Sequence, residues 1–90
     1  VAKALNGSVG KGARNQFEDV VVVQYLLNCV PAKKGGPEAE LVLDGLCGPK
    51  TNAAISQYQS TNLGFADGRV DAGGKTFHSL RGFDSYPIRN

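Results

Sequence analysis

Residues Leu43 to Gln59 read LDGLCGPKTNAAISQYQ, and this stretch decides how the chain folds. Asp44-Gly45 is a turn signal, because glycine accepts the positive φ that tight turns demand. Gly48 frees the backbone again, and Pro49 stands where a helix can begin. Its ring presets φ, and its missing N–H would have been unpaired in the first turn anyway. Thr51, Ala54, Ile55 and Tyr58 then fall at i, i+3, i+4 and i+7, one face of an amphipathic helix. Lys50, Asn52, Ser56 and Gln57 take the other face. The spacing predicts a helix from about Pro49 to Ser60.

A quieter copy lies downstream in Asp67-Gly68-Arg69-Val70-Asp71-Ala72-Gly73-Gly74-Lys75-Thr76-Phe77-His78-Ser79-Leu80. Lys50-Thr51 corresponds to Lys75-Thr76 and Ile55 to Leu80, with the second loop two residues longer. Two related turn-plus-helix units follow, too few for a solenoid.

The string DGLCGPKTNAAISQYQ, preceded by DVVVVQYLLN, resembles the peptidoglycan-binding domain of bacterial and phage wall-active proteins. That family carries a D-G-x-x-G-x-x-T-x-x-A-[IV]-x-x-[FY]-Q core motif, and the resemblance covers about Ser8 to Gly82 within a single domain spanning residues 1–90. Cys47 stands where a large apolar residue is usual, and Tyr58 where Phe is common. The resemblance implies an all-α fold, a compact three-helix bundle with long ordered loops. It also implies a non-catalytic, carbohydrate-binding-module-like targeting domain that binds bacterial peptidoglycan, through glycan strand or stem peptide, and directs an attached or partner hydrolase. The implied location is the cell envelope, periplasm or cell wall, or a phage-derived protein. A protein-interaction or assembly module that keeps the fold without wall binding is the alternative.

Composition narrows the classes without choosing among them. Ninety residues make one domain. A chain of this size buries roughly 60–65% of its unfolded surface, so its core is adequate but not generous. The charged fraction of 20% and hydrophobic fraction of 41% are ordinary for a globular domain. A net charge of +2 with scattered basic residues gives no footprint for nucleic acid, and Lys33-Lys34 is the only adjacent pair without an intervening residue. The longest apolar run, Val20 to Val23, falls far short of the ~18–20 residues that span a bilayer. No basic start followed by an apolar stretch marks a signal peptide in this chain.

Taken in order, Val1 to Arg14 is a glycine-rich, irregular lead-in with Leu5 and Val9 as core contacts. Asn15 is the expected N-cap of the first helix, with Glu18 completing a capping-box pattern. Glu18 and Asp19 also suit the positive end of the helix dipole. That helix is expected over about Gln16 to Asn28, with Val20, Val23, Leu26, Leu27 and Phe17 on its apolar stripe and Gln24 and Asn28 as polar breaks. Valine runs also favour strands, but the apolar pattern continues through Leu27 without a turn. Pro31 to Glu40 reads as a linker, either folded over the surface or mobile. Leu41-Val42-Leu43 is expected beneath the Asp44-Gly45 turn, and Leu63 and Phe65 in the core. The third helix is expected over about Gly74 to Arg81, presenting Phe77 and Leu80, with Phe83 and Tyr86 covering a core edge and Pro87 to Asn90 frayed.

No local motif assembles a catalytic group. Cys29 or Cys47 could in principle pair with His78 as nucleophile and base. Cys47 reads as a core thiol, however, His78 as a helix-surface residue, and no motif supplies a third group, so no enzyme is expected. Two cysteines and one histidine cannot furnish the four ligands of a zinc site. Asp67 and Asp71 fall short of a calcium loop, which takes six to eight oxygens. No cofactor and no metal are expected. Cys29 and Cys47 leave a disulfide open beside two separate buried thiols, and the apolar role of Cys47's position in the family favours the thiols. If a ligand-binding site exists as the resemblance implies, the two Asp-Gly loops and the helix starts they lead into offer Asp44, Lys50, Asn52, Asp67, Arg69 and Lys75, with backbone N–H groups for a carboxylate. Thr51 and Thr76 are read as structural, and Tyr58 as core.

Overall fold

A computed structural model describes residues 4–84. Helix α1 spans Phe17–Cys29, α2 Pro49–Asn62 and α3 Lys75–Arg81. Strand β1, Val9–Gly10, pairs antiparallel with β2, Arg69–Val70, in the register Val9 to Val70 and Gly10 to Arg69. The described residues are therefore mainly helical with three helices, but the all-α expectation needs correcting for this small sheet. Two-residue strands are too short to show an alternating pattern in sequence. Their pairing brings the lead-in against the second Asp-Gly loop, where Lys11 N–H also donates to Gly68 O at 2.9 Å.

The core joins all three helices. Val20, Val23, Leu26 and Leu27 of α1, Ala54, Ile55 and Tyr58 of α2, and Phe77 and Leu80 of α3 are buried together with Val9 and Val70. Burying each of the larger aliphatic side chains contributes about 1.5–3 kcal/mol, so the helices stand on tertiary packing more than on propensity. The ring of Tyr58 meets Phe83 edge to face at 6.0 Å, and its hydroxyl hydrogen-bonds Ser79. Leu5, Val9 and Phe83 contact the core as expected, whereas Tyr86 and Pro87 to Asn90 lie outside the described residues.

Several local expectations change. The N-cap of α1 is Gln16, with no side-chain cap, and Asn15 adopts φ 54° instead. The Asn15 amide closes the preceding loop, accepting from Gly10 N–H at 2.7 Å and donating to Gly10 O at 3.0 Å. Asn tolerates the left-handed region better than most residues, and its short amide here serves a loop instead of the helix. Phe17 leaves the apolar stripe: it begins the helix, is 63% exposed, and lays its ring against Gly45. Phe65 is exposed at 38%, and Leu63 is only half-buried. Helix α2 continues two residues past Ser60 to Asn62, and Gly64 then turns the chain with φ 77°, which leaves Phe65 in the outer loop. Of the Leu41-Val42-Leu43 run, Leu41 alone is buried.

The linker is folded over the surface. Its first half forms a 3₁₀ turn at Ala32–Lys34 and doubles back through Gly36 N–H to Pro31 O at 3.1 Å. Gln57 donates to Gly36 O at 2.9 Å, and Asn62 to Lys34 O at 2.8 Å. At the far end the Asn28 amide clamps Leu41, donating to its O at 2.9 Å and accepting from its N–H at 2.8 Å. The segment between these anchors, residues 37–40, is thus held as an arch beside α2.

Candidate binding groove

Each Asp-Gly loop hangs from one buried glutamine. Gln24, on α1, donates through Nε2 to Asp44 Oδ1 at 3.0 Å, Leu46 O at 3.2 Å and Thr51 Oγ1 at 3.1 Å. Its Oε1 accepts from Gly45 N–H at 3.1 Å. Gln59, on α2, repeats the set: Nε2 to Asp67 Oδ1 at 2.8 Å, Arg69 O at 2.9 Å and Thr76 Oγ1 at 3.0 Å, with Gly68 N–H donating to Oε1 at 2.8 Å. Gly45 and Gly68 match as well, at φ 72° and 73°. The inward placement of Thr51 and Thr76 expected from sequence is borne out, since both are buried. A third loop is held in related fashion. Buried Asp19 accepts Asn6 N–H at 2.9 Å and Gly7 N–H at 3.0 Å, a tertiary role beyond the helix dipole.

Sequence reading missed the loop-holding roles of Gln24, Gln59 and Asp19. Gln24 reads as a polar break on a valine-rich helix; the available signal was its equivalence to Gln59, the closing residue of the D-G…Y-Q motif. Because the two glutamines lie at different distances from their loops in sequence, alignment of the loops does not align them.

The loops spend their carboxylates locally. Asp44 also accepts Leu46 N–H at 2.9 Å, and Asp67 accepts Arg69 N–H at 3.0 Å. The Leu46 N–H and then the Gln24 amide hold the Asp44 carboxyl below its ordinary value of 3.8. Arg69 Nε donates to Asp71 at 2.9 Å on an exposed surface, a pair of the kind worth about 0–1 kcal/mol.

The arch, the first loop and the start of α2 enclose an open groove of about 860 Å³. Asp44 and Lys50 line it together; Asn52, Asp67, Arg69 and Lys75 do not. Asp67 and Arg69 share the second loop, and Lys75 opens α3. Asn52 is half-buried on α2, with its Oδ1 3.2 Å from Cys47 Sγ. The groove also contains Glu38 and Glu40 on the arch and Leu46, 68% exposed, which sequence reading passed over, and Val42, expected beneath the turn but 73% exposed. Linker carboxylates carry no periodic signal, and their position depends on the anchors at Gly36 and Leu41.

Both cysteines are free. Burial pushes the Cys47 thiol up, which keeps it protonated and weakly nucleophilic at neutral pH. His78 is exposed on α3, and among the described residues no cluster of three or more His, Cys, Asp or Glu side chains is placed to hold a metal ion. No helix among them is long and apolar enough to cross a membrane.

Comparison with known proteins returned no matching family model, no matching curated protein and no matching solved structure.

Proposed function

We propose that this chain is a non-catalytic binding module for bacterial cell-wall peptidoglycan, which targets or anchors a wall-active protein in the cell envelope or in a phage-derived particle. The reading begins with the resemblance of Asp44 to Gln59 to the wall-binding motif. The observation that carries it is the groove beside that motif's loop, lined by Lys50, Gln57 and Asp44 over an apolar floor. Such a surface combines a few fixed polar groups with apolar area, the usual make-up of a ligand site. Many weak polar contacts in a shallow groove give modest affinity, which contact area alone does not set.

Co-sedimentation with purified, insoluble peptidoglycan at low salt tests the reading. The folded domain is expected in the pellet, and Lys50→Ala is expected to release more of it than Arg69→Ala, because Lys50 lines the groove and Arg69 is occupied by Asp71. A domain that stays wholly in the supernatant sinks the proposal. Exposed Phe17, Val42, Leu43 and Leu46 favour the second reading, a protein-interaction module. Under that reading peptidoglycan leaves the protein in solution.

A further inference from the structure

We propose that the groove takes the stem peptide of the wall polymer and not its glycan strand, with the ammonium of the peptide's diamino acid at the Glu38 and Glu40 rim. This inference rests on the wall-binding reading and names the part of the polymer recognised. Three observations carry it.

The first is charge. Among the described residues, three carboxylates, those of Glu38, Glu40 and Asp44, line the groove against the single ammonium of Lys50. Oδ1 of Asp44 is taken by Leu46 N–H and Gln24, whereas both carboxylates on the arch are without any such internal bond among the described residues. Neither Glu38 nor Glu40 is in an ion pair or side-chain hydrogen bond among the described residues, and both are exposed. They are complementary to a cation, and charge-assisted hydrogen bonds are the stronger kind. The one base, Lys50, suits a terminal carboxylate of the same peptide.

The second is the floor. Val42, Leu46 and Ala53 give it exposed apolar surface, which suits the methylene tether of a diamino acid and the methyl groups of alanine. The third is the lining itself. No aromatic ring lines the groove among the described residues, whereas the C–H faces of sugar rings are commonly met by aromatic platforms. The anchors at Gly36 and Leu41 hold the arch in place, so its carboxylates are presented on a fixed segment.

The test compares retention of the chain on three bead-immobilised preparations: intact sacculi, sacculus glycan stripped of its stem peptides by an amidase, and intact sacculi whose free amines have been acetylated. Retention on intact sacculi is expected, with about tenfold weaker binding to both treated forms. The Glu38→Gln/Glu40→Gln double variant, at exposed positions, is expected to fold normally by circular dichroism and to lose about tenfold on intact sacculi. Equal binding to stripped and intact sacculi overturns the stem-peptide assignment while leaving wall binding standing. Weakening by acetylation without weakening in the double variant overturns the placement of the ammonium on the arch. Failure to bind intact sacculi overturns the wall reading, and this inference with it.

Discussion

Replacing Gln24 by leucine keeps much of the side-chain volume and removes the amide, so Gly45 N–H and Thr51 Oγ1 lose a buried partner and the Asp44 carboxylate loses a donor. Leaving such groups unsatisfied costs about 1–3 kcal/mol, and Gln59→Leu is expected to cost a similar amount because the bonding set is the same. Urea unfolding measures both, and a change below about 0.5 kcal/mol in either would show that water replaces the amide without penalty. The Asp44 carboxylate gives a pH signature of known sign. Its folded value lies below 3.8, so its contribution is fully present above the unfolded value and is lost as pH falls through the folded one. Asp44→Asn is expected to flatten the acid limb of the stability profile, read from thermal midpoints. An unchanged acid limb in that variant removes Asp44 from the acid response.

At the scale of the elements, the turns matter more than the helices they join. Gly45 combines φ 72° with a close approach to the Phe17 ring, so an added Cβ would lie 2.2 Å from that ring. Gly48, three residues on, has φ −94° and nothing within 4 Å of an added Cβ. Gly45→Ala is therefore expected to destabilise by about 1–2 kcal/mol, while Gly48→Ala should be near neutral. Equal effects in chemical denaturation would mean that the loop relaxes around the new methyl. The same comparison explains which element boundaries were legible. Pro49 fixes the start of α2 as expected, because proline is suited to a first helical turn without help from elsewhere. Asn15 and Glu18 form a plausible capping box in sequence, but Gly10 at the end of β1 takes the Asn15 amide. A cap signal in sequence records what a side chain is able to bond, and tertiary competition determines which bond it makes.

For the whole molecule, one core cluster of the described residues joins α1, α2, α3 and both strands. Unfolding is expected to be a single cooperative transition. Far-ultraviolet circular dichroism and tyrosine fluorescence should give the same urea midpoint, since the chain has three tyrosines and no tryptophan. Tyr58 sits at the centre of that cluster, so its emission reports the core. Separate midpoints would mean that the arch or the α3 end opens before the rest.

The sequence by itself determined the three helices, the turn at each Asp-Gly pair, and the pairing of Lys50-Thr51 with Lys75-Thr76. These features depend on glycine and proline dihedrals and on a 3.6-residue period, which are local properties of the chain. It also made Leu43 to Gln59 the stretch that specifies the fold, and Thr51, Ala54, Ile55 and Tyr58 are all buried. Only the tertiary structure decided that Gln24 and Gln59 each suspend a loop, that Val9 and Val70 pair, and that the linker arches over α2 to make a groove. Those features join residues far apart in sequence through single side-chain amides and two-residue strands, which leave no period to read. For the same reason Asp44 and Lys50 were recognisable as candidates beside the motif, while Glu38 and Glu40 became so once Gln57 and Asn28 had fixed the two ends of the arch.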